Sequence, residues 1–246
     1  MTFESHYQSY GVAIIEWALE PADLTAMARA FTSAPRRQGN EVLRLRSGLG
    51  SSSPGARAIP ADLADWLETH PVLIEIASRL LADPARLVRI LAFDKTVSAN
   101  WFVPWHQDRI IAVEDRKPVL QFKNWSRKQG CWHVEPPIAL LERMVTLRVH
   151  LDPCEERDGP LEVLPGTHAF GRLRRSDIGN VAATLAPQVC LADRGDILAM
   201  SPLTVHRSRR AKNPTRRRVL HLEFAALDLP EPLRWASLTP DLDFRT

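Results

Sequence analysis

From residue 86 onward the chain is a series of short β-rich runs, and this pattern restricts the fold more than any other feature. The runs are LVRILAF, NWFVPWH, IIAV, MVTLRVHL, LEVL, QVCL, DILAM and RVLHLEF, separated by Pro, Gly and Asp residues that favour turns. We expect no helix between them that is long enough to build parallel βαβ units. The pattern therefore predicts an antiparallel sandwich or closed barrel, and a jelly roll is the commonest such architecture at this length.

The first 85 residues have a helical pattern instead. Pro21 opens the segment PADLTAMARAF, and the segments ADLADWLETH and PVLIEIASRLLAD follow a Gly-, Ser- and Pro-rich connection at 47–55. We expect these helices to buttress the β core. The sequence thus predicts one domain over residues 1–246, mainly β with flanking helices: a helical flank (1–85), a jelly-roll core (86–225) and a Pro-rich peripheral tail (226–246).

The composition is that of an ordinary globular protein, with 45% hydrophobic and 25% charged residues among 246. The N-terminus lacks the pattern of a signal peptide, and no stretch approaches about eighteen uninterrupted apolar residues, so we expect a soluble protein without a membrane partner. Cys131, Cys154 and Cys190 are too irregularly spaced for a disulfide framework or a zinc site. This cysteine usage indicates a reducing, cytoplasmic compartment.

Positive charge is concentrated in one segment, because seven of the twelve residues from 207 to 218 are Arg or Lys. Such a run is usually a solvated loop, and an anion site or a nucleic-acid patch is the alternative. No aromatic residue interleaves with it as on a base-stacking platform. The pattern therefore disfavours nucleic acid as a partner.

A possible metal-binding pair lies in VPWHQDRI at 103–110, where His106 stands two residues before Asp108. On a strand both side chains would project from the same face, as two ligands of one metal must. A short motif of this kind also arises by chance. Two further pairs have the same or nearly the same character: His150 with Asp152, and His221 with Glu223.

The position of a later histidine distinguishes the three pairs. His206, in PLTVHRS, follows His106 after enough strands for the chain to return to the same end of a barrel. Asp152 precedes a proline and so leaves its strand, and the third pair comes too late to have a distal histidine after it. The pattern favours His106, Asp108 and His206 as two histidines and one carboxylate on one face of an iron ion. The alternative is a core histidine beside a turn-capping aspartate.

The segment after His206 adds a possible anion site. Ser208 lies two residues past this histidine and Arg217 eleven residues past it, at the start of the next β run. A planar guanidinium beside a hydroxyl suits a bidentate hold on a carboxylate. Arg216 and Arg218 would face the opposite side of that strand if Arg217 points inward.

Together these segments resemble the phytanoyl-CoA dioxygenase-like family of iron(II)- and 2-oxoglutarate-dependent oxygenases. The matching segments are WHQD (105–108), DGPLEVLPGTH (158–168), the Gly-Asp at 195–196, and His-x-Ser followed by Arg eleven residues after the His (206, 208, 217). They occur in the order of the family over about half the chain. The combination is specific to the family and not to any substrate.

The resemblance implies a cupin-like double-stranded β-helix core in which His106, Asp108 and His206 bind iron(II) and form the catalytic centre. It also implies that Arg217, assisted by Ser208, binds the far carboxylate of 2-oxoglutarate. The implied activity is a dioxygenase that uses O2, hydroxylates an unactivated C–H of a small molecule and releases succinate and CO2. Related halogenases lack the carboxylate ligand, so the presence of Asp108 favours hydroxylation or another oxidative outcome over halogenation.

Two other activities remain open from the sequence. One is a jelly-roll binding module without redox activity, which holds an anionic ligand through the 207–218 segment. The other is a metal enzyme that does not use a keto acid.

Residues 114–137 are too long and too mixed for a simple hairpin loop. We hypothesise that Trp125, Trp132 and Lys123 lie near the substrate, and the alternative is that the tryptophans only anchor the loop. Arg148 lies on the polar face of MVTLRVHL. It would meet an anionic substrate if that face lines the barrel, and otherwise forms a surface salt bridge.

Overall fold

The computed structural model describes residues 1–29, 61–128, 131–212 and 216–236, so the connection at 47–55 lies outside the described residues. Its helices are α1 (Phe3–Tyr10), α2 (Pro21–Arg29), α3 (Ala61–Thr69), α4 (Val72–Leu81), α5 (Ile138–Leu141) and α6 (Arg175–Thr184). Its strands are β1 (Val12–Ile15), β2 (Arg86–Thr96), β3 (Val103–His106), β4 (Ile111–Val113), β5 (Lys123–Lys128), β6 (Cys131–Glu135), β7 (Met144–His150), β8 (Leu161–Val163), β9 (Gln188–Cys190), β10 (Ile197–Met200), β11 (His206–Ser208) and β12 (Arg216–Ala225).

The strands form three antiparallel sheets. A five-stranded sheet has the order β1-β10-β7-β12-β2, a four-stranded sheet has the order β3-β11-β8-β9, and a three-stranded sheet has the order β4-β6-β5. Every predicted β run contains a strand, and all the strand pairs in these sheets are antiparallel. The predicted mainly-β, jelly-roll fold class is confirmed.

The outer face of the five-stranded sheet packs against the helices. Val145, Leu147 and Val149 of β7 belong to the largest hydrophobic core, together with Leu220 and Leu222 of β12. Helical residues complete this core: Leu24, Met27, Leu63, Trp66, Leu73, Ile76 and Leu80. Burying each such side chain stabilises the fold by about 1.5–3 kcal/mol, which explains why this face is uniformly apolar.

The inner face of the same sheet carries polar side chains. Alternate residues of β7 and β12, and Lys95 of the edge strand β2, are buried although they are charged or polar: Lys95, Thr146, Arg148, His150, Arg217, His221 and Glu223. The Lys95 ammonium reaches the Ser208 hydroxyl on the four-stranded sheet at 3.2 Å, so this face looks across at that sheet. The space between the two sheets is therefore lined with ionisable groups, and the predicted polar face of β7 is one of its walls.

The structure corrects two parts of the predicted organisation. The flank at 1–85 is not only helical, because β1 follows α1 after a turn at Gly11, whose φ of +71° suits glycine, and adds an edge strand beside β10. The tail is not peripheral over 226–236, because Leu229 and Leu233 are buried in a second core formed with residues of β4 and β6.

The insertion at 114–137 also differs from an irregular loop. It contains β5 and the whole of β6, and β6 pairs with both β5 and β4. A ten-residue helix, α6, lies between β8 and β9, which nevertheless pair antiparallel. A connecting helix therefore did not produce a parallel unit here.

Leu233→Ala tests whether the tail is part of the core. Removing this fully buried side chain should lower the free energy of unfolding by about 2–5 kcal/mol, because it leaves a cavity in the second core. Leu120→Ala, at a side chain that is 86% exposed, is the matched control and should change it by less than about 0.5 kcal/mol. Urea unfolding measures both, and equal small effects would contradict the packing of the tail.

Candidate active site

Two histidines are brought together by the pairing of β3 with β11. His106 and His206 are direct partners in this antiparallel register, and a bulge interrupts the register between His206 and Ser208. Their ring centroids are 4.2 Å apart. The two imidazoles, which are a hundred residues apart in the chain, are therefore close enough to contact the same ion.

Asp108 completes the cluster from just beyond the end of β3. Its carboxylate oxygens lie 3.6 Å from Nε2 of His106 and 3.5 Å from Nε2 of His206. Candidate ligand atoms of the three residues all lie within 4.8 Å of one another. Since His nitrogen and carboxylate oxygen bind transition metals at about 2.0–2.2 Å, one ion fits among them. Two imidazoles and one carboxylate form the donor set of non-haem iron(II) oxygenases.

The predicted position of Asp108 on the same strand face as His106 is not the observed one. The strand ends at His106, and the Asp108 N–H donates to the Pro202 carbonyl at 2.9 Å. Gln107 fixes this turn, because its buried amide donates to the carbonyls of Leu203 and Gly171 at 2.7 and 2.8 Å. The carboxylate is therefore positioned by the hydrogen bonds of Gln107 and of the Asp108 backbone, and not by strand alternation.

The orientation of both imidazoles is set by backbone carbonyls. Nδ1 of His106 lies 2.9 Å from the Pro104 oxygen, and Nδ1 of His206 lies 2.9 Å from the Thr204 oxygen. Each Nδ1 can therefore donate its hydrogen to a carbonyl, which leaves Nε2 as the lone-pair nitrogen. Such outer contacts orient metal-binding histidines.

The protonation states suit a metal. Burial alone would raise the pKa of Asp108, but the nearby His206 and His106 hold it well below its usual range. Burial lowers the pKa of His206 to about 4. The pKa of His106 is raised, because the hydrogen bond and charge of Asp108 outweigh its own burial. At neutral pH the cluster thus offers an ionised carboxylate and at least one neutral imidazole, as metal binding requires.

The acids of the other two His–acid pairs form ion pairs with arginines. Asp152 accepts two hydrogen bonds from the Arg218 guanidinium, at 2.6 and 2.8 Å. Glu223 is paired with Arg89 at 2.9 Å. Among the described residues, the cluster around Asp108 is the one group of three or more such side chains whose geometry could hold a metal.

Arg217 points inward, as the predicted register requires. It is 4% exposed, whereas Arg216 is exposed and paired with Asp94. Its Nη1 donates to the Gly159 carbonyl at 2.5 Å and lies 3.7 Å from the Cys154 sulfur, while Nε has no hydrogen-bond partner. Ser208 approaches the same Gly159 oxygen at 3.4 Å. Arg217 and Ser208, on strands of the two opposite sheets, therefore reach the same buried oxygen.

Arg148 is also buried and inward, so it is not part of a surface salt bridge. Its Nη1 lies 2.9 Å from Nδ1 of His221 and its guanidinium stacks 5.2 Å from the centroid of the Phe93 ring. Burial and the charge of Arg217 lower its pKa to about 10. Arg148 therefore remains a cation at neutral pH.

Sequence reasoning missed Lys95. It is 1% exposed on β2, beside Ser208, and in the sequence it looks only like the polar end of a strand.

The tryptophans of the insertion favour the anchoring alternative, because Trp125 and Trp132 pack against the second core and Lys123 is exposed. The insertion also has a groove that does not include any residue of the metal cluster. The groove is lined by Arg116, Lys117, Pro118, Val119, Leu120, Phe122 and Trp125.

Asp108→Ala tests the cluster directly. The variant should lose Co2+ binding by at least about tenfold, because it removes the one anionic donor. His150→Ala removes a buried inward histidine outside the cluster and should keep the metal. Visible Co2+ spectra measure both, and a His150→Ala protein that stays folded but loses the metal would show that the wrong pair was chosen.

Solved structures with the same architecture are numerous. The carbocyclase SnoK of nogalamycin biosynthesis matches with a TM-score of 0.64 and 17% identity, over 92% of this chain and 83% of that one. The epimerase SnoN in complex with Fe3+, α-ketoglutarate and nogalamycin RO matches at 0.61 and 18%, over 97% and 95%. HygX of Streptomyces hygroscopicus, with nickel and 2-oxoglutarate bound, matches at 0.60 and 16%, over 94% and 89%. At these identities the similarity shows the fold.

None of the curated proteins matches the sequence. Across the described ranges, no helix combines the length and the apolar character that crossing a bilayer requires. The sequence profile of phytanoyl-CoA dioxygenase matches residues 7–219, which run from within α1 to the first four residues of β12 and include every residue of the candidate site. The chain therefore belongs to the phytanoyl-CoA dioxygenase (PhyH) family of non-haem iron- and 2-oxoglutarate-dependent enzymes.

Proposed function

We propose that this protein hydroxylates an unactivated C–H of a small, anionic molecule, with iron(II) held by His106, Asp108 and His206. When bound, iron with 2-oxoglutarate and O2 supplies the oxidising power for that step, and the keto acid leaves as succinate and CO2. The protein positions the reactants and shields them from water. The closeness of three donors of this type is the observation that carries the proposal.

The opposite end of the keto acid requires a cationic partner. Arg217 has an unpaired Nε and no carboxylate partner in the described chain, and it shares the Gly159 oxygen with Ser208. A buried guanidinium without an anion is costly, and a carboxylate ligand would satisfy it with charge-assisted hydrogen bonds. We assign Arg217 and Ser208 to the distal carboxylate of 2-oxoglutarate.

Arg148 supports the anionic character of the substrate. Its pKa is lowered by burial and by Arg217, and the negative charge of Asp108 acts in the opposite direction. This guanidinium is therefore near enough to both Asp108 and Arg217 to be affected by their charges. Its Nε has no hydrogen-bond partner, so an anionic group of a substrate has a donor available there.

We also propose a cytoplasmic location and hydroxylation as the outcome of the reaction. All three cysteines are buried and none forms a disulfide, in agreement with a reducing cytoplasm. Hydroxylation is proposed because Asp108 occupies the third ligand position. The similar folds of an epimerase and a carbocyclase make product analysis part of the test.

The binding-module alternative has one supporting observation, the basic segment 207–218. Its side chains are largely used within the protein, since Arg207 and Arg209 both bind Glu162, and Arg216 and Arg218 bind Asp94 and Asp152. Little of this charge is left for an external polyanion. Anaerobic addition of iron(II) and 2-oxoglutarate distinguishes the alternatives, because chelation gives a visible charge-transfer band.

Arg217→Leu should weaken 2-oxoglutarate binding about 10- to 100-fold, because a charge-assisted contact contributes about 1.5–3 kcal/mol. Arg216→Leu is the matched control on the outward face and should bind 2-oxoglutarate normally. Anaerobic titration of the charge-transfer band measures both. A folded wild-type protein without any band would favour the binding module.

Arg148→Gln should lower substrate-stimulated succinate release and leave the unstimulated, 2-oxoglutarate-dependent rate unchanged. A panel of carboxylates, phosphates and their neutral analogues is screened first for stimulation of the wild type. The stimulating anion should then show a KM raised at least about tenfold in Arg148→Gln. Arg218→Gln, whose partner is Asp152, is the control. An unchanged KM, or stimulation by neutral compounds alone, would contradict the anionic substrate.

A further inference from the structure

Lys95 is the most deeply buried charged side chain of the barrel interior. It is 1% exposed, and its ammonium donates to the Arg209 carbonyl at 2.6 Å and to the Ser208 hydroxyl at 3.2 Å. The Trp101 ring lies below it, with its centroid at 5.4 Å. No carboxylate within the described ranges forms an ion pair with it. The preceding residue, Asp94, pairs with Arg216 instead.

The surroundings of Lys95 are positive. Arg217 is its direct partner across the β2–β12 pairing and Arg148 lies on the next strand, β7. Burial and these two cations lower the pKa of Lys95 to about 7, against a smaller opposing effect of Cys154. The groups that face it from β11 are a hydroxyl and a carbonyl.

An unpaired buried ammonium is an expensive way to fill a core position. A side chain such as Met has a similar volume without the cost of removing a charge from water, which is several kcal/mol in real proteins. Structural need therefore does not explain a lysine here. A ligand that supplies the missing negative charge does explain it.

Lys95, Ser208 and Arg217 form one continuous polar cluster. Lys95 contacts the Ser208 hydroxyl, and both Ser208 and Arg217 reach the Gly159 carbonyl. We propose that Lys95 is a third binding group for the distal carboxylate of 2-oxoglutarate, and that it binds this carboxylate as an ammonium and gains its proton when the keto acid arrives. The inference rests on the function proposed above.

The proton uptake has a defined direction. Above pH 7 most of the free protein carries a neutral Lys95, and an adjacent carboxylate raises the pKa of the ammonium. Binding then takes up close to one proton per keto acid at about pH 8, and affinity falls by up to about tenfold per pH unit above 7. The neighbouring Arg148, whose pKa is lowered only to about 10, keeps its proton over this range and takes up nothing.

The test uses the iron(II)-loaded protein under anaerobic conditions. Calorimetry of 2-oxoglutarate binding at pH 8, in two buffers of different ionisation enthalpy, counts the protons taken up. The wild type should take up close to one. Lys95→Met should take up none and bind about 10- to 100-fold more weakly. Lys212→Met, at an exposed lysine, should behave as the wild type.

Thermal unfolding of each variant without keto acid separates binding from folding. If Lys95→Met does not fold, the proton count of the wild type alone decides. Wild-type binding without proton uptake, or tight binding by a folded Lys95→Met, would overturn the role of Lys95 and leave that of Arg217 intact. Normal 2-oxoglutarate binding by Arg217→Leu, or none by the wild type, would instead remove the function on which the inference rests.

Discussion

The two-residue alternation of β12 determines what the barrel contains. Leu220 and Leu222 face the helices in the main core, and Arg217 and His221 face the opposite sheet. Shifting the strand by one residue would place a guanidinium among the helices and leucines at the metal cluster. The apolar contact with α2–α4 thus selects the register, and the chemistry of the interior follows from it.

The arginines beside Arg217 strengthen the same register. Arg216 pairs with Asp94 on β2, and Arg218 pairs with Asp152 after β7. Such partly exposed pairs contribute little individually, about 0–1 kcal/mol. Through these pairs the nearby carboxylates of Asp94 and Asp152 bind arginines other than Arg217. Lys95 and Arg217 are consequently left without acids of their own, and the interior is arranged for anions before any arrives.

This arrangement explains how far sequence reasoning can reach. The spacing of His106, Asp108 and His206 is local information, and strand alternation was enough to choose Arg217 over its neighbours. Lys95 could not be found this way, because its significance is the lack of a partner. That lack appears only once Asp94 is seen to turn outward. The packing of β1 and the tail depends likewise on long-range contacts that local patterns do not encode.

The proposed ligand Asp108 lies outside any strand, and hydrogen bonds hold its turn in place. Gln107 ties its turn to the chain before β11 through the Leu203 carbonyl, and to the region after β8 through Gly171 and Leu173. β4 begins three residues after Asp108, and its pairing with β6 attaches the other end of the turn to the second core. The insertion and the tail complete that core, and they therefore help to hold the turn that carries the Asp108 carboxylate. Catalytic groups need such support to keep their geometry, and this gives the insertion a structural reason to exist that does not require contact with substrate.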